Sequence, residues 1–240
     1  MTFVTTGCGQ PLGGGTRPAG GLRSLFGATV AGGWCSYTSL VTATAGERLG
    51  IFGGTFDPPH VGHLVAAINV RHALALDRVL LTVSHQPWQK VGSRPLSSAV
   101  DRLAMVTAAV AAVDGLEASD IELRRGGDSF TVDTITELLD QDPTRTLFLI
   151  VGQDAAAGMP TWERIDEVRR RSELVVVERP GVDSRLPPGW QFERVEVPRL
   201  EVSSTDLRAR VVDGRPLDFL VPQGAISVLQ ERRLYREGCS

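Results

Sequence analysis

The chain has 240 residues, 42% hydrophobic and 22% charged, enough to bury one sizeable core. Lys plus Arg number 25 against 28 Asp plus Glu, a formal charge of −3, which disfavours a general nucleic-acid binder because that affinity rests on neutralising phosphates with a basic excess. No uninterrupted apolar stretch reaches the roughly 18 residues of a membrane span, and the scattered Cys8, Cys35 and Cys239 make neither a disulfide framework nor a zinc-ligand pair, a usage suited to a reducing cytoplasm.

Residues 1–45 carry two charged side chains, Arg17 and Arg23, and no acid, with glycine runs at Gly13-Gly14-Gly15 and Gly32-Gly33. So little apolar volume does not offset the entropy of ordering the chain, and the segment reads as a disordered or non-native extension. Its apolar middle is too broken by glycine for a secretory signal, and Gly13 to Thr16 lacks the lysine of a P-loop. Initiation at Val41 from an alternative start codon is one expectation for this region. Residues 46–240 then form a single domain.

From Glu47 onward, apolar runs alternate with amphipathic stretches. Leu49–Phe52 reads as a short buried strand, followed by a glycine-rich turn and a helix from Gly62 to Leu76. Arg78–Val83 is a second strand and His85–Leu96 a loop, before a helix over Ser97–Val113 capped by Ser97 or Ser98. Leu116–Leu123 is a third extended run, Val132–Leu139 a helix and Thr146–Val151 a fourth strand. Trp162–Arg171 is a helix, Leu174–Val177 a fifth strand, and Thr205–Tyr235 a helical segment that closes the chain. Near-continuous apolar strands alternating with helices predict a doubly wound, Rossmann-like α/β domain with a parallel sheet of five to six strands. Ligands of such sheets sit at the carboxyl ends of the strands.

The residues with chemical potential fall at those ends. Gly53-Gly54-Thr55-Phe56-Asp57-Pro58-Pro59-His60-Val61-Gly62-His63 joins the first strand to the first helix. Paired glycines after a strand let the backbone approach a ligand. His60 and His63, three residues apart, share one face of the helix start, where unpaired N–H groups and the helix dipole favour an anion. Glu201-Val202-Ser203-Ser204-Thr205-Asp206-Leu207-Arg208 repeats the chemistry at a second helix start, with Arg208 one turn beyond Ser204. Taken alone, a histidine is commonly a satisfied side chain and a Ser-Ser-Thr run only a cap. Two such helix starts together point to a ligand with several phosphates.

GGTFDPPHVGH followed near the end by SSTDLR resembles the nucleotidyltransferase superfamily with an HxGH signature, and within it the bacterial-type nicotinate-nucleotide adenylyltransferases. The likeness spans Leu49 to Tyr235. Pro87-Trp88-Gln89-Lys90 resembles the family's substrate-loop lysine segment, and Ser129-Phe130-Thr131-Val132-Asp133-Thr134 its (S/T)YTxDT segment with Phe130 in place of the usual tyrosine. Gly152-Gln153-Asp154 and the later Trp162 resemble the GxD segment and the tryptophan that follows it, while Pro59 departs from a common isoleucine.

The resemblance implies transfer of an adenylyl group from ATP to nicotinate mononucleotide, with Mg²⁺ carried by the ATP phosphates and no dedicated protein ligands. It implies that His60 and His63 stabilise the transferring and leaving phosphates and that Arg208, Ser203, Ser204 and Thr205 hold those of ATP. Gly53, Gly54, Thr55, Phe56, Gly152 and Asp154 would lie on the ATP side. Asp57, Trp88, Lys90, Thr131 and Trp162 would serve the mononucleotide, Trp162 by stacking on its ring. His72 and His85 match no family position and read as structural or solvent-facing. No nucleic-acid or membrane partner is expected, and a homodimer is an open expectation.

Rival readings are the sister enzymes and a regulator that keeps the fold without turnover. Phosphopantetheine adenylyltransferases share the early and late motifs but lack the intermediate series, and cytidylyltransferases differ in the late motif. A class I tRNA synthetase would need a longer chain and a KMSKS-like loop. A non-catalytic regulator would be favoured by loss of His60, His63 or Arg208, and all three are present.

Overall fold

The computed structural model describes residues 46–87, 96–178 and 186–236. Six strands, β1 (Arg48–Gly54), β2 (Arg78–Val83), β3 (Leu116–Ser119), β4 (Thr146–Gly152), β5 (Glu173–Glu178) and β6 (Glu193–Glu196), lie in the order β3-β2-β1-β4-β5-β6. Every neighbouring pair is parallel. The chain therefore winds outward from β1 in one direction and from β4 in the other, and the reversal falls between those two strands.

The helices follow from that winding. α1 (Val61–Ala73) and α2 (Ala99–Val110) cross from β1 to β2 and from β2 to β3; α3 (Ile121–Arg125) and α4 (Thr131–Gln141) precede β4. α5 (Gln153–Gly158), a 3₁₀ turn at Met159–Thr161 and α6 (Ile165–Arg171) lead into β5, and α7 (Ser204–Asp213) and α8 (Gln223–Glu231) follow β6. The two-residue period of a strand sends alternate side chains to opposite faces. In β4, Leu147, Leu149 and Val151 enter one core with Ile135 and Val168 of α4 and α6, whereas Phe148 and Ile150 enter the other with Val70 and Val106 of α1 and α2. A third cluster packs Met105 and Ala109 of α2 against Leu207 of α7 and Ala225, Ile226 and Leu229 of α8. A Cβ on Gly224 would stand 2.4 Å from the Ala108 carbonyl oxygen, so only glycine lets α8 come this close to α2.

The doubly wound parallel sheet expected from the sequence is present, with local differences. The third run is a strand only to Ser119; Ser119 Oγ accepts from the Ile121 N–H at 3.4 Å and α3 begins, so helix-start chemistry overrides the apolar pattern of Leu116–Leu123. Trp162 precedes its helix, because Arg164 takes a left-handed φ of 45° and α6 starts only at Ile165. The last helical segment is two helices, separated by the αL residue Gly214 and a loop through Pro216 and Pro222. β6 has a single buried residue, Val195, and carries too little apolar signal to stand out from its sequence. Ser98, not Ser97, caps α2, accepting from Asp101 N–H at 3.1 Å. The extension 1–45, the Val41 start, Trp88 and Lys90 lie outside the described residues. No helix among the described residues is long and apolar enough to cross a membrane.

Candidate active site

β1 ends in Gly53-Gly54 at the sheet's reversal point, and the chain then runs through Thr55–Pro59 to His60, the N-cap of α1. The His60 backbone N–H donates to His63 Nδ1 at 3.1 Å. The two imidazoles stack at 3.7 Å between centroids, 26° apart. With Nδ1 of His63 accepting, the neutral ring carries its proton on Nε2 as a donor. Phe56 stands edge-on to His63 at 5.0 Å, and a Cβ on Gly54 would approach the Phe56 ring to 2.8 Å. Glycine at 54 thus makes room for the ring that backs the histidine. Phe56 is itself 2% exposed and holds φ at 49°, and its side chain packs against His63.

The second helix start is fastened to this loop. Ser203 caps α7 by accepting from Asp206 N–H at 3.2 Å, and Ser204 Oγ donates to the Pro58 carbonyl at 2.9 Å. Arg208 donates through Nη1 to the Asp57 carbonyl at 2.7 Å and through Nη2 to Thr205 Oγ1 at 3.1 Å. The N-terminal ends of α1 and α7, each with a positive dipole end, therefore meet at Asp57–His60. The Ser203, Ser204 and Thr205 hydroxyls and the Arg208 guanidinium, all expected to hold phosphate, thus already have partners within the protein at this helix start.

Two residues that the sequence reading passed over, Arg102 and Tyr235, fasten the loop, the second through Asp57. Arg102 on α2 is 1% exposed and donates to the carbonyls of Thr55, His85 and Ser97 at 2.9, 3.1 and 3.0 Å. Tyr235 donates its hydroxyl to Asp57 Oδ1 at 2.6 Å; burial, then the Asp57 charge, pushes the phenol well above its ordinary range, so it stays a neutral donor. Asp57 is 1% exposed, and it ties the carboxyl-terminal segment to the histidine loop.

Beside this junction, above β1 and β4, opens a cavity of about 560 Å³. Gly53, Gly54, Thr55, Gly152, Asp154, Thr131 and Trp162, all named from sequence, line it together, and Glu122, Ser129 and Phe130 complete one wall. A Cβ on Gly53 or Gly152 would meet no atom within 4 Å, so these glycines leave the cavity floor open to a ligand. Trp162 Nε1 is buried and makes no hydrogen bond among the described residues. His85, away from any expected role, donates its Nδ1–H to the Gly127 carbonyl at 2.9 Å and so fastens one loop to another.

The cytidylyltransferase-like family model matches residues 51–210 of this chain. A protein of Corynebacterium kroppenstedtii named "Probable nicotinate-nucleotide adenylyltransferase" is 42% identical over 200 residues, covering 82% of this chain and 94% of that one. A Streptomyces coelicolor protein of the same name is 43% identical over 187 residues, covering 77% and 98%. The chain belongs to the nicotinate-nucleotide adenylyltransferase family. The fold has the family's solved shape: a Plasmodium falciparum nicotinic acid mononucleotide adenylyltransferase complexed with NaAD superposes with a TM-score of 0.64 at 16% identity, covering 79% of this chain and 97% of that one. The donors at the histidine junction of this chain are imidazole, guanidinium and backbone N–H. Among the described residues, no group of three or more His, Cys, Asp or Glu side chains could hold a metal ion.

Proposed function

We propose that the protein transfers the adenylyl group of ATP to nicotinate mononucleotide, giving deamido-NAD and pyrophosphate. The observation that carries this reading is the meeting of two helix N-termini, the stacked His60–His63 pair and Arg208 at one loop, beside a cavity floored by glycine. A mononucleotide phosphate oxygen attacks the α-phosphorus of ATP, the bond to the β-phosphate oxygen breaks, and pyrophosphate leaves with its electron pair. No protein nucleophile takes part; the chain supplies position and charge stabilisation. Nε2–H of His63 donates to phosphate oxygens as negative charge develops, and Arg208 holds the triphosphate against α7. Mg²⁺ arrives as the ATP complex and adds positive charge to the leaving phosphates. Asp154, in the cavity lining, takes the ribose hydroxyls of the adenosine, and Trp162 stacks on the pyridine ring.

A homodimer and a cytoplasmic setting belong to this proposal, and sedimentation of the purified chain tests the first. The reaction itself is tested by mixing purified protein with MgATP and nicotinate mononucleotide. Deamido-NAD and pyrophosphate in equal amounts support it; ATP binding with no dinucleotide overturns it in favour of a non-catalytic regulator.

A further inference from the structure

The cavity that Trp162 lines also carries a buried carboxyl to which the reaction above gives no task. Glu122, in the first turn of α3, is 7% exposed and lines the cavity with Ser129, Phe130, Thr131 and Trp162. Its Oε1 accepts from Thr134 Oγ1 at 3.1 Å, and that hydroxyl oxygen accepts in turn from Arg125 Nη2 at 3.2 Å. Oε2 is buried and meets no partner at hydrogen-bond geometry among the described residues; the Ser129 hydroxyl that faces this carboxyl is likewise buried and unpartnered, as is Trp162 Nε1. A buried polar atom left without a partner is costly, so three such atoms among the residues lining one cavity mark a place where a ligand supplies what the protein does not.

We propose that Glu122 is a specificity-determining residue that discriminates between a pyridine carboxylate and a pyridine carboxamide in this pocket. The inference rests on the reading that the mononucleotide ring lies against Trp162 and Thr131. A neutral Glu122 offers an O–H to the ring carboxylate. An ionised Glu122 offers only acceptors, repels that carboxylate and accepts from a carboxamide N–H.

Burial pushes the Glu122 carboxyl above the ordinary range of a glutamate. The Ser129 and Thr134 hydroxyls, the Arg125 guanidinium and the His85 backbone face it and pull the other way. Arg125 also pairs with Glu137 at 3.5 Å, while Asp154 and Glu163 add acidic groups to the same cavity. Glu122 is thus neutral in acid and ionises at a higher pH than a solvated glutamate, and preference for the acid substrate declines as it does so.

The test is the ratio of kcat/KM for nicotinate over nicotinamide mononucleotide, followed across the pH range in which the wild-type protein stays folded. Phosphate and histidine ionisations common to both substrates cancel in this ratio. The wild-type ratio is expected to fall about tenfold with rising pH, as a like charge beside the ring demands. Glu122→Gln, neutral and nearly isosteric, should give a ratio independent of pH. A flat wild-type ratio overturns the proposal without any variant, and so does a Glu122→Gln protein that keeps the wild-type slope. If neither mononucleotide yields a dinucleotide, the proposed reaction fails and this inference with it; a dinucleotide formed at a pH-independent ratio removes only the role of Glu122.

Discussion

The two ends of the parallel sheet differ in whether any of their buried polar groups are left without partners. At the amino ends of the strands, Glu47 accepts from Arg78 at 2.5 Å and from Arg145 at 2.8 Å, and Arg78 reaches on to Glu117 at 2.7 Å. The Arg48 N–H donates to Asp77 at 2.8 Å and its guanidinium to the Leu74 carbonyl at 2.9 Å. Those groups answer one another within the protein. At the carboxyl ends Arg102 and Tyr235 are likewise paired, but bare glycines floor a cavity among whose lining residues Glu122 Oε2, Ser129 Oγ and Trp162 Nε1 are buried without hydrogen bonds among the described residues. A satisfied network stabilises the fold, whereas an unsatisfied one is kept for a ligand. The functional end is thus recognised by what its side chains lack as much as by which they are.

The sharpest way to break this contrast is to remove a charge stabiliser from the carboxyl end. His63→Ala should lower kcat by about 10²- to 10³-fold, the usual loss for one preorganised donor, while the melting temperature changes little. A decrease of less than fivefold would take His63 out of the chemistry. Arg208→Lys keeps the charge but loses the planar fork that reaches both the Asp57 carbonyl and Thr205. It should reduce kcat/KM for ATP by about tenfold to about a hundredfold, as loss of a charge-assisted hydrogen bond does. An unchanged ATP constant would show that α7 binds no phosphate.

Smaller effects sharpen the comparison. Trp162→Ala should raise KM for the mononucleotide about tenfold by removing a stacked ring, with the ATP constant unaffected. If only the ATP constant moves, the two substrates occupy the cavity the other way round. At the amino end, Glu47→Gln should leave turnover intact and cost about 1 kcal/mol of stability at neutral pH. The hydrogen bond from Arg78, more than any other contact, holds the Glu47 carboxyl below its ordinary range. A depressed carboxyl contributes above its unfolded pKa and loses that contribution as pH falls through the folded one. Wild type and Glu47→Gln should therefore differ in denaturant midpoint at neutral pH and converge in acid; a difference that persists in acid would mean that packing, not charge, makes the contact matter.

Much of the carboxyl end was legible because its residues are neighbours in the chain. Strand, glycine pair, His60 and His63 fall within one short stretch, and Gly152 with Asp154 follows a strand directly. The supports were harder to see because their partners are remote. Tyr235 reaches Asp57 across 178 residues, and nothing local to either announces the contact. Arg102 did leave a trace: it shares a helix stripe with the buried Met105, Val106 and Ala109, where a lone arginine must find internal acceptors. Glu122 was hidden in a run that reads as extended until Ser119 starts a helix. Its burial emerges only when α3, α4 and the loop at His85 close around it.

The most direct test of the central claim asks which bond of ATP breaks. Purified protein is given nicotinate mononucleotide with ATP labelled at the α-phosphate, or in parallel at the γ-phosphate, and the products are separated. The account predicts that α-label appears in the dinucleotide and γ-label only in pyrophosphate. Label from the γ-phosphate on the mononucleotide, or as free phosphate beside ADP, would mean that the histidine junction serves a different phosphoryl chemistry.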